Sequence, residues 1–526
     1  MAKDGRGVKH QIKILFAVGV LASALFGAAA ADQLLDVRAA YSRGDYATVI
    51  RLLRPRAEQG HATAQTNLGL MYYNGQGVAQ DYTQALIWFR KAADQGMAIA
   101  QVNLGWMYEN GQGVARDYAQ ALMWFRKAAD QGNAIAQSNL GSMHENGQGV
   151  ARDYAQALMW FRKAADQGNA IAQSNLGSMY ENGQGVAQDY AQALRWFRGA
   201  ADQGNAIAQT NLGSMYENGQ GVAQDHAQAL IWFRKAADQG NAIAQSNVGA
   251  IYFNGEGVAR DYAQALIWLR KAADQGNAIA QGNLGLMYEN GLGVTQDTTQ
   301  ALNWLRKAAD QGNATAQINL SSMNENGQDA AEDLNWLRKA ADQGNAIAQG
   351  KLGLRYYNGE GVVQDYMQAL LWSRKAADQG NAIAQSNLGV MYYNGEGVAQ
   401  DYTQALIWFR KAADQGNPIA QGNLGLMYGN GQGVQQDAAQ AVVWYLKAAE
   451  RGNTLAQINL GALYANGEGV PKDSAQAVMW FNLAASHAAD AATRDFAVKN
   501  RDALVAKMPP AQIAEAQRMA NEWAPK

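Results

Sequence analysis

Between residues 61 and 489 the apolar positions repeat every 36 residues, in two segments of helical spacing per repeat. In the unit 169–204, the apolar residues of the first segment share one helical face: Ala172, Leu176, Met179 and Tyr180. Those of the second segment form a similar stripe: Tyr190, Ala193, Trp196, Phe197 and Ala200. Twelve of the fourteen tryptophans share the position of Trp196, which is typical of core residues rather than of a ligand cage. Each unit is therefore predicted to form two packed helices.

Glycines and polar residues mark where these helices begin and end. Gly183 is predicted to end the first helix in a left-handed conformation, and Gly204 to end the second. The second helix is predicted to begin at Asp189, whose side chain caps the first turn and forms a capping box with Gln192. Gly177 lies at the edge of the apolar face, where the missing side chain lets a neighbouring helix approach.

The loop between the two helices, "ENGQGVAQDY" at residues 181–190, contains two glycines that could begin a nucleotide-binding loop. A phosphate loop needs a preceding strand, and a Gly-Lys-Ser/Thr or a third glycine after it. Neither is present, so the loop is interpreted as a connection between helices. Val186 is predicted to fold back onto the helix pair as an apolar plug.

Twelve such units in succession predict an all-α fold, a solenoid of helix pairs. The units begin at His61, Met97, Asn133, Asn169, Asn205, Asn241, Asn277, Asn313, Asn345, Asn381, Asn417 and Asn453. The unit 313–344 is short, with 32 residues. The predicted organisation is a signal peptide (1–31), an N-terminal capping helix pair (32–60), the repeats (61–489) and C-terminal capping helices (490–526).

The N-terminus has the three parts of a secretory signal. Residues 3–13 are basic, residues 14–27 form an apolar stretch of 14 residues, and residues 28–32 are small apart from a final Asp. Cleavage is expected near Ala30 or Ala31, with an uncleaved anchor as the alternative. The protein is predicted to be exported, to the periplasm or out of the cell. No other segment is long and apolar enough for stable membrane insertion after cleavage.

Composition excludes several classes of function. The net charge is −2, and residues 1–31 contribute four basic residues against one acid, so the remainder is more acidic still. A chain of this charge lacks the positive field that nucleic acid requires. The absence of cysteine excludes disulfides and thiol chemistry.

Candidate chemistry is scarce. The histidines outside the signal lie in different places without metal-ligand spacing: His61, His144, His226 and His487. No serine lies in a G-x-S-x-G sequence, and nearly every polar residue is copied many times, whereas a catalytic site needs a single constellation. The sequence therefore predicts no enzyme, no metal site and no cofactor.

The pattern A-x-A-Q-x-N-L-G-x-x-Y-x-x-G-x-G-V-x-x-D-x-x-x-A-x-x-W-x-x-x-A-A-x-x-G resembles the Sel-one-like repeat, a longer-looped relative of the tetratricopeptide repeat. The resemblance covers residues 61–489 and implies a right-handed superhelix of antiparallel helix pairs. It also implies an adaptor that assembles other proteins, often exported in bacteria. A cysteine-rich branch of the family is associated with penicillin binding and hydrolysis. Because this chain has neither cysteine nor S-x-x-K, a β-lactamase-like hydrolase activity is not transferred.

One face of the first helices is the candidate binding surface. Positions 3, 6, 7, 10, 13 and 14 of each unit share an arc of about 120° opposite the apolar residues, and tetratricopeptide-like superhelices line their concave groove with this face. Position 7 is mostly asparagine: Asn103, Asn139, Asn175 and Asn211. Position 13 is glutamate in Glu109, Glu145, Glu181, Glu217 and Glu289. It is aromatic in Tyr73, Phe253, Tyr357 and Tyr393, and position 10 is unusual at Trp106.

Exposed aromatics on an acidic, amide-lined concave face favour binding of an extended peptide or other protein, with glycan or peptidoglycan as the alternative. A solvated helix face would give the same pattern without any binding. For the asparagines, a structural role and a binding role remain equally open.

The short unit 313–344 is predicted to be the weakest of the stack. Its deletion removes the G-x-G-V plug, while Asp329 with Glu332 preserves a capping box for a second helix of normal length. Three usual core residues are replaced, by Ser321, Asn324 and Asp333. A bend or hinge and early proteolysis are expected here, because a weak repeat interrupts nearest-neighbour coupling.

Overall fold

A computed structural model describes residues 36–323 and 330–523 of the chain. The predicted signal peptide, Asn324 and the cap at Asp329 lie outside the described residues, as does the side chain of Glu332. The regular secondary structure of the described residues is entirely helical, as predicted. The chain divides into two compact units, between Gln275 and Gly276.

The first unit begins with helical residues 36–42 and the helix Tyr46–Glu58, followed by six helix pairs. The first helices of the pairs are Ala62–Asn74, Ala98–Asn110, Ala134–Asn146, Ala170–Asn182, Ala206–Asn218 and Ala242–Asn254. The second helices are Tyr82–Asp94, Tyr118–Asp130, Tyr154–Asp166, Tyr190–Asp202, His226–Asp238 and Tyr262–Asp274.

The second unit contains six further pairs and two terminal helices. Its first helices are Ala278–Asn290, Ala314–Met323, Ala346–Asn358, Ala382–Asn394, Pro418–Asn430 and Thr454–Asn466. Its second helices are Thr298–Asp310, Ala330–Asp342, Tyr366–Asp378, Tyr402–Asp414, Ala438–Glu450 and Ser474–His487. The terminal helices are Ala491–Val505 and Pro510–Glu522, and Met519, Ala520 and Trp523 pack against the core of the last repeat.

The helix ends follow the predicted residues with one correction. Gly183 is left-handed, with φ of 66°, and the Asp189 carboxylate accepts the N–H of Gln192 over 3.0 Å. The predicted capping box is wrong in its second half. The N–H of Asp189, which a capping box would offer to Gln192, donates instead to the carbonyl of Tyr180 over 2.9 Å. This bond ties the start of the second helix to the first helix of the same repeat.

Close packing within a repeat depends on the glycine of the first helix. A Cβ added to Gly177 would lie 2.7 Å from Cδ1 of Phe197, which is fully buried. The predicted close approach is therefore present, and the ring of Phe197 occupies the space. Val186 is partly buried against the same core, as predicted for the plug.

The repeated tryptophan is a core residue, as predicted, and its ring is covered by a lysine of the next helical turn. Lys235 Nζ lies 3.9 Å from the centre of the Trp232 ring, and Trp232 is buried. Trp196 is only partly buried, and here Gly199 stands where other repeats have this lysine.

A ladder of glutamine amides connects successive repeats. Nε2 of Gln137 donates to the carbonyl of Ala129 in the preceding repeat over 3.2 Å. Its Oε1 accepts from Nε2 of Gln167, at the end of its own repeat, over 2.7 Å. Because Gln137 is buried, these bonds satisfy an amide that would otherwise be destabilising, and they set the register between one repeat and the next.

In the short repeat the second helix keeps the 13 residues of its neighbours, as predicted. Ser321 is buried and donates to the carbonyl of Ile318 over 2.7 Å. Asp333 is 1% exposed, and its Oδ1 has no partner among the described residues. Two cations of the following repeat reach this helix pair: Lys351 donates to Oγ of Ser322 over 2.6 Å, and Arg355 to the carbonyl of Ser321 over 3.3 Å.

Candidate functional site

The predicted binding face is the outward side of the first helices, but part of it is closed. Asn103 is 4% exposed and Trp106 is 8% exposed, so neither side chain is available to a partner at the surface. Position 6, which was included in the predicted arc, is also buried, as at Val102 and Ser174. These residues are buried because the arc is wider than the strip of helix surface that neighbouring helices leave uncovered.

The other predicted asparagines of this face, Asn139, Asn175 and Asn211, are half-buried. The Nδ2 atoms of Asn103 and Asn139 have no hydrogen-bond partner within the described part of the chain. The structure places these asparagines along one side of successive first helices but shows no bond that would explain the repeated amide.

The aromatic residues predicted to be exposed are half-buried and engaged between repeats. The hydroxyl of Tyr73 donates to Oε1 of Gln112 in the next repeat over 2.7 Å, and the ring packs edge-on against Tyr82 at 5.1 Å. The same contacts recur at two other tyrosines: Tyr357 donates to Glu396 over 2.7 Å and Tyr393 to Gln432 over 2.8 Å. The expectation of freely exposed aromatics is therefore wrong, because these side chains stitch one repeat to the loop of the next.

Burial changes the acidity of these tyrosines. It raises the pKa of Tyr73, with the hydrogen bond to Gln112 opposing the change. Burial, the hydrogen bond to Glu396 and the charge of that carboxylate together raise the pKa of Tyr357 to about 12. Phe253 has no hydroxyl and keeps only the edge-on contact, with Tyr262 at 5.5 Å.

The glutamates of the predicted face form an uninterrupted series in the first compact unit. We call this series the Glu row, and it consists of Glu109, Glu145, Glu181 and Glu217. Each side chain is half-buried near the end of its first helix, in four consecutive repeats. Within the described ranges, none of the four forms an ion pair with a lysine, arginine or histidine.

Burial raises the pKa of every carboxyl in the Glu row. For Glu217 the nearby charge of Glu256 raises the pKa further, and His226 lowers it. Burial also raises the pKa of Glu289, in the second compact unit. The Glu row is thus a line of partly desolvated negative charges that the protein itself leaves without a counter-charge.

Sequence reasoning missed a second feature of the same helices. The third residue of many units is an exposed isoleucine, including Ile243, Ile279 and Ile383, which are 57%, 62% and 62% exposed. The signal was available, because an apolar residue recurs on a face otherwise composed of polar side chains.

The described residues contain no cluster of His, Cys, Asp and Glu side chains able to hold a metal ion. Of the helices in the described ranges, none combines the length and the apolar character needed to cross a bilayer. The available chemistry of this face is therefore charge, amide groups and aliphatic surface, which are suited to recognising another molecule.

Stacked helix pairs with a repeated glycine, glutamine and tryptophan define an α-solenoid of short helical repeats, a class of protein-interaction scaffold. The model of the Sel1 repeat matches twelve consecutive segments from residue 62 to residue 488, beginning with 62–97, including the short 314–345, and ending with 454–488. The chain belongs to the Sel1 repeat family.

Solved structures of this family resemble the chain. A protective antigen present in uropathogenic Escherichia coli strains, with an SLR fold, is 38% identical with a TM-score of 0.56. That match covers 90% of this chain and 94% of the antigen. A Sel1 repeat protein from Oxalobacter formigenes is also 38% identical, with a TM-score of 0.44, over 57% of this chain and 91% of that one. Comparison with curated proteins finds no match.

Proposed function

We propose that this protein is a non-catalytic scaffold that holds an extended, basic segment of a partner protein along the Glu row. The observation that carries the proposal is that four consecutive repeats each present one half-buried carboxylate without a counter-charge. A partly desolvated charge destabilises the fold unless something pairs with it. A partner's lysine or arginine would supply that pairing.

The spacing of the Glu row fits an extended peptide. Helices that pack side by side lie about 10 Å apart, and an extended chain advances about 3.3 Å per residue. One repeat therefore corresponds to about three residues of an extended partner. A segment with lysine or arginine at every third position could meet successive carboxylates of the row.

Binding of glycan has less support than binding of protein. Sugars are usually held by stacking on exposed aromatic rings, and the aromatic residues of this face are half-buried. The rings of Tyr73 and Tyr393 contact a tyrosine of their own repeat, and their hydroxyls bond to the next repeat. These contacts leave little ring face for a sugar.

We also propose that the scaffold acts after export, in the periplasm or outside the cell. The basic start, the apolar stretch 14–27 and the small residues after it support this proposal. The related Escherichia coli protein is described as a protective antigen, which is consistent with a location accessible to the immune system. N-terminal sequencing of protein recovered from periplasm and medium tests this: a chain that still begins at Met1 would refute cleavage.

The binding proposal can be tested with a labelled peptide that repeats Lys-Ala-Ala, measured by fluorescence anisotropy. The test variant changes the Glu row to glutamine at all four positions, which removes the charge and retains the size. The control variant makes the same charge change on exposed carboxylates of the same four repeats, as Asp130→Asn, Asp166→Asn, Asp202→Asn and Asp238→Asn.

We expect the wild type to bind the peptide more weakly as salt increases, and the Glu-row variant to bind it at least about tenfold more weakly. The Asp control should retain most of the affinity. Equal losses in both variants would show a response to net charge alone, and no loss in either would refute the Glu row as the site. Circular dichroism on both variants checks that the helices remain folded.

A further inference from the structure

The glutamine ladder is interrupted in the repeat 417–452. In the preceding repeat, Nε2 of Gln415 donates to Oε1 of Gln385 over 2.7 Å. The residue equivalent to Gln415 in the next repeat is Arg451, so Gln421 has no glutamine to accept from. Oε1 of Gln421 has no partner within the described ranges, although the side chain is only 4% exposed.

The orientation of the Gln421 amide is determined by its other bond. Nε2 donates to the carbonyl of Ala413 over 3.1 Å, which directs Oε1 away from that carbonyl. The unpartnered atom is thus an acceptor that needs a donor. A buried acceptor without a donor destabilises a protein by about 1–3 kcal/mol, and such groups in native structures require an explanation.

A cleft of about 440 Å³ lies where the ladder is interrupted, between the end of one second helix and the next repeat. Gln421 and Trp444 line it, together with the cations Lys447 and Arg451 and the acid Asp414. Both cations and Asp414 are exposed to solvent. The cleft therefore combines a fixed, buried acceptor with two positive charges at its mouth.

The final repeat shows that the interruption alone does not make a cleft. Oε1 of Gln457 also lacks a partner in the described structure, and His487 stands at the ladder position. There, Nδ1 of His487 lies 3.5 Å from Nε2 of Gln457, and Trp523 of the C-terminal helix packs on the histidine ring at 5.3 Å. A terminal helix covers that end, whereas the cleft beside Gln421 is open.

We propose that this cleft binds the C-terminal carboxylate of a peptide. In a terminal residue the amide N–H and the carboxylate are attached to the same Cα, so one residue can meet both requirements of the cleft. The N–H would donate to Oε1 of Gln421, and the carboxylate would face Arg451 and Lys447. A simple anion such as phosphate would leave Gln421 without a donor and would be repelled by Asp414.

An acidic sugar could offer the same two groups, but the cleft favours a peptide. Sugars gain affinity by stacking on tryptophan, and the Trp444 ring is already covered by Lys447 at 4.1 Å and Arg410 at 5.6 Å. The inference is independent of the Glu row, because the cleft lies in the second compact unit and the row in the first. Failure of one proposal leaves the other standing.

The experiment titrates the full mature chain with N-acetyl-Ala-Ala as the free acid, as its amide, and with glucuronic acid, by calorimetry. The key variant is Arg451→Gln, which removes a cation and restores the ladder residue of the other repeats. The matched control is Gln379→Arg, which breaks the intact bond between Gln379 and Gln349, 2.7 Å long, away from the cleft.

We expect the wild type to bind the free acid, and to bind the amide at least about tenfold more weakly, since the carboxylate charge is lost. Arg451→Gln should abolish binding and raise the melting temperature by about 2 °C, because Gln421 gains a donor. Gln379→Arg should lower the melting temperature and leave binding unchanged.

Three results would overturn the proposal. These are equal binding of acid and amide, preferential binding of glucuronic acid, and binding that survives Arg451→Gln. Absence of heat with the free acid at millimolar concentration would overturn it as well.

Discussion

Gln137 and Gln167 face each other across the two ends of one repeat, with Nε2 of Gln167 donating to Oε1 of Gln137 over 2.7 Å. Gln137 also holds the carbonyl of Ala129 in the preceding repeat. A single buried side chain thus connects three helices: two second helices and the first helix between them. Stability of the stack is therefore expected to depend on a polar residue as well as on its tryptophans.

Replacing Gln137 by alanine should lower the free energy of unfolding by about 2 kcal/mol, because the carbonyl of Ala129 and the amide of Gln167 both lose a buried partner. Urea denaturation followed by circular dichroism measures the change. Gln435→Ala is the control, since Gln435 is exposed and should be near neutral. A neutral Gln137 variant would mean that water replaces both bonds.

Adding one methyl group at Gly177 should destabilise the repeat by about 1–3 kcal/mol, because the new Cβ would lie 2.7 Å from the buried Phe197 ring. The short repeat shows how a larger residue is accommodated: it has Ser321 in place of the glycine and Leu337 in place of the phenylalanine. Adding Phe197→Leu to Gly177→Ala should therefore recover part of the loss.

Gly199→Ala is the matched control for this prediction. It lies in a helix whose neighbours carry lysine there, and its new Cβ would meet only the flexible end of Gln173 at 3.1 Å. It should stabilise by about 0.5–1 kcal/mol through helix propensity. Destabilisation of both variants alike would argue against the contact with Phe197.

Glu109→Gln should change how stability depends on pH. Burial raises the pKa of Glu109, so the folded state favours the neutral carboxyl. The wild type therefore loses stability as the pH rises from the ordinary glutamate value through the raised pKa. The variant should match the wild type in acid and exceed it at neutral pH, as measured by melting temperature across pH 4–8. Asp130→Asn, at an exposed carboxylate, should give no such difference.

Asp333→Ala should stabilise the short repeat by about 1–3 kcal/mol, since Asp333 is 1% exposed with an Oδ1 that has no partner in the described structure. Alanine is the residue that other repeats place there, for example the fully buried Ala301. Chemical denaturation measures the gain. A loss of stability would instead show that the carboxylate has an important counter-charge.

Limited proteolysis should cut first between Asn324 and Asp333 and leave two stable fragments. The reason lies in the sequence: this unit lacks the G-x-G-V plug and carries Ser321 and Asp333 at core positions. Mass spectrometry of early fragments locates the cut. Earlier cleavage in any full-length loop, with residues 324–333 intact, would contradict the prediction.

The sequence by itself determined the helix pairs, their caps and the repeat. The period of 36 residues, the left-handed Gly183 and the capping Asp189 are local signals, and local geometry is enough to interpret them. Gly177 was assigned to a close approach for the same reason, because the absence of a side chain on a helix face has few explanations.

Tertiary structure alone decided which polar and aromatic residues are free. Helical periodicity places Trp106 and Tyr73 on the outward face, but packing by the adjacent repeat buries the first and bonds the second to Gln112. The glutamines were visible in the repeat, yet their bonds join residues 30 positions apart, as from Gln167 to Gln137. Contacts between repeats depend on how helices stack, and that is why periodicity along one helix could not reveal the ladder, its interruption at Arg451, or the cleft beside Gln421.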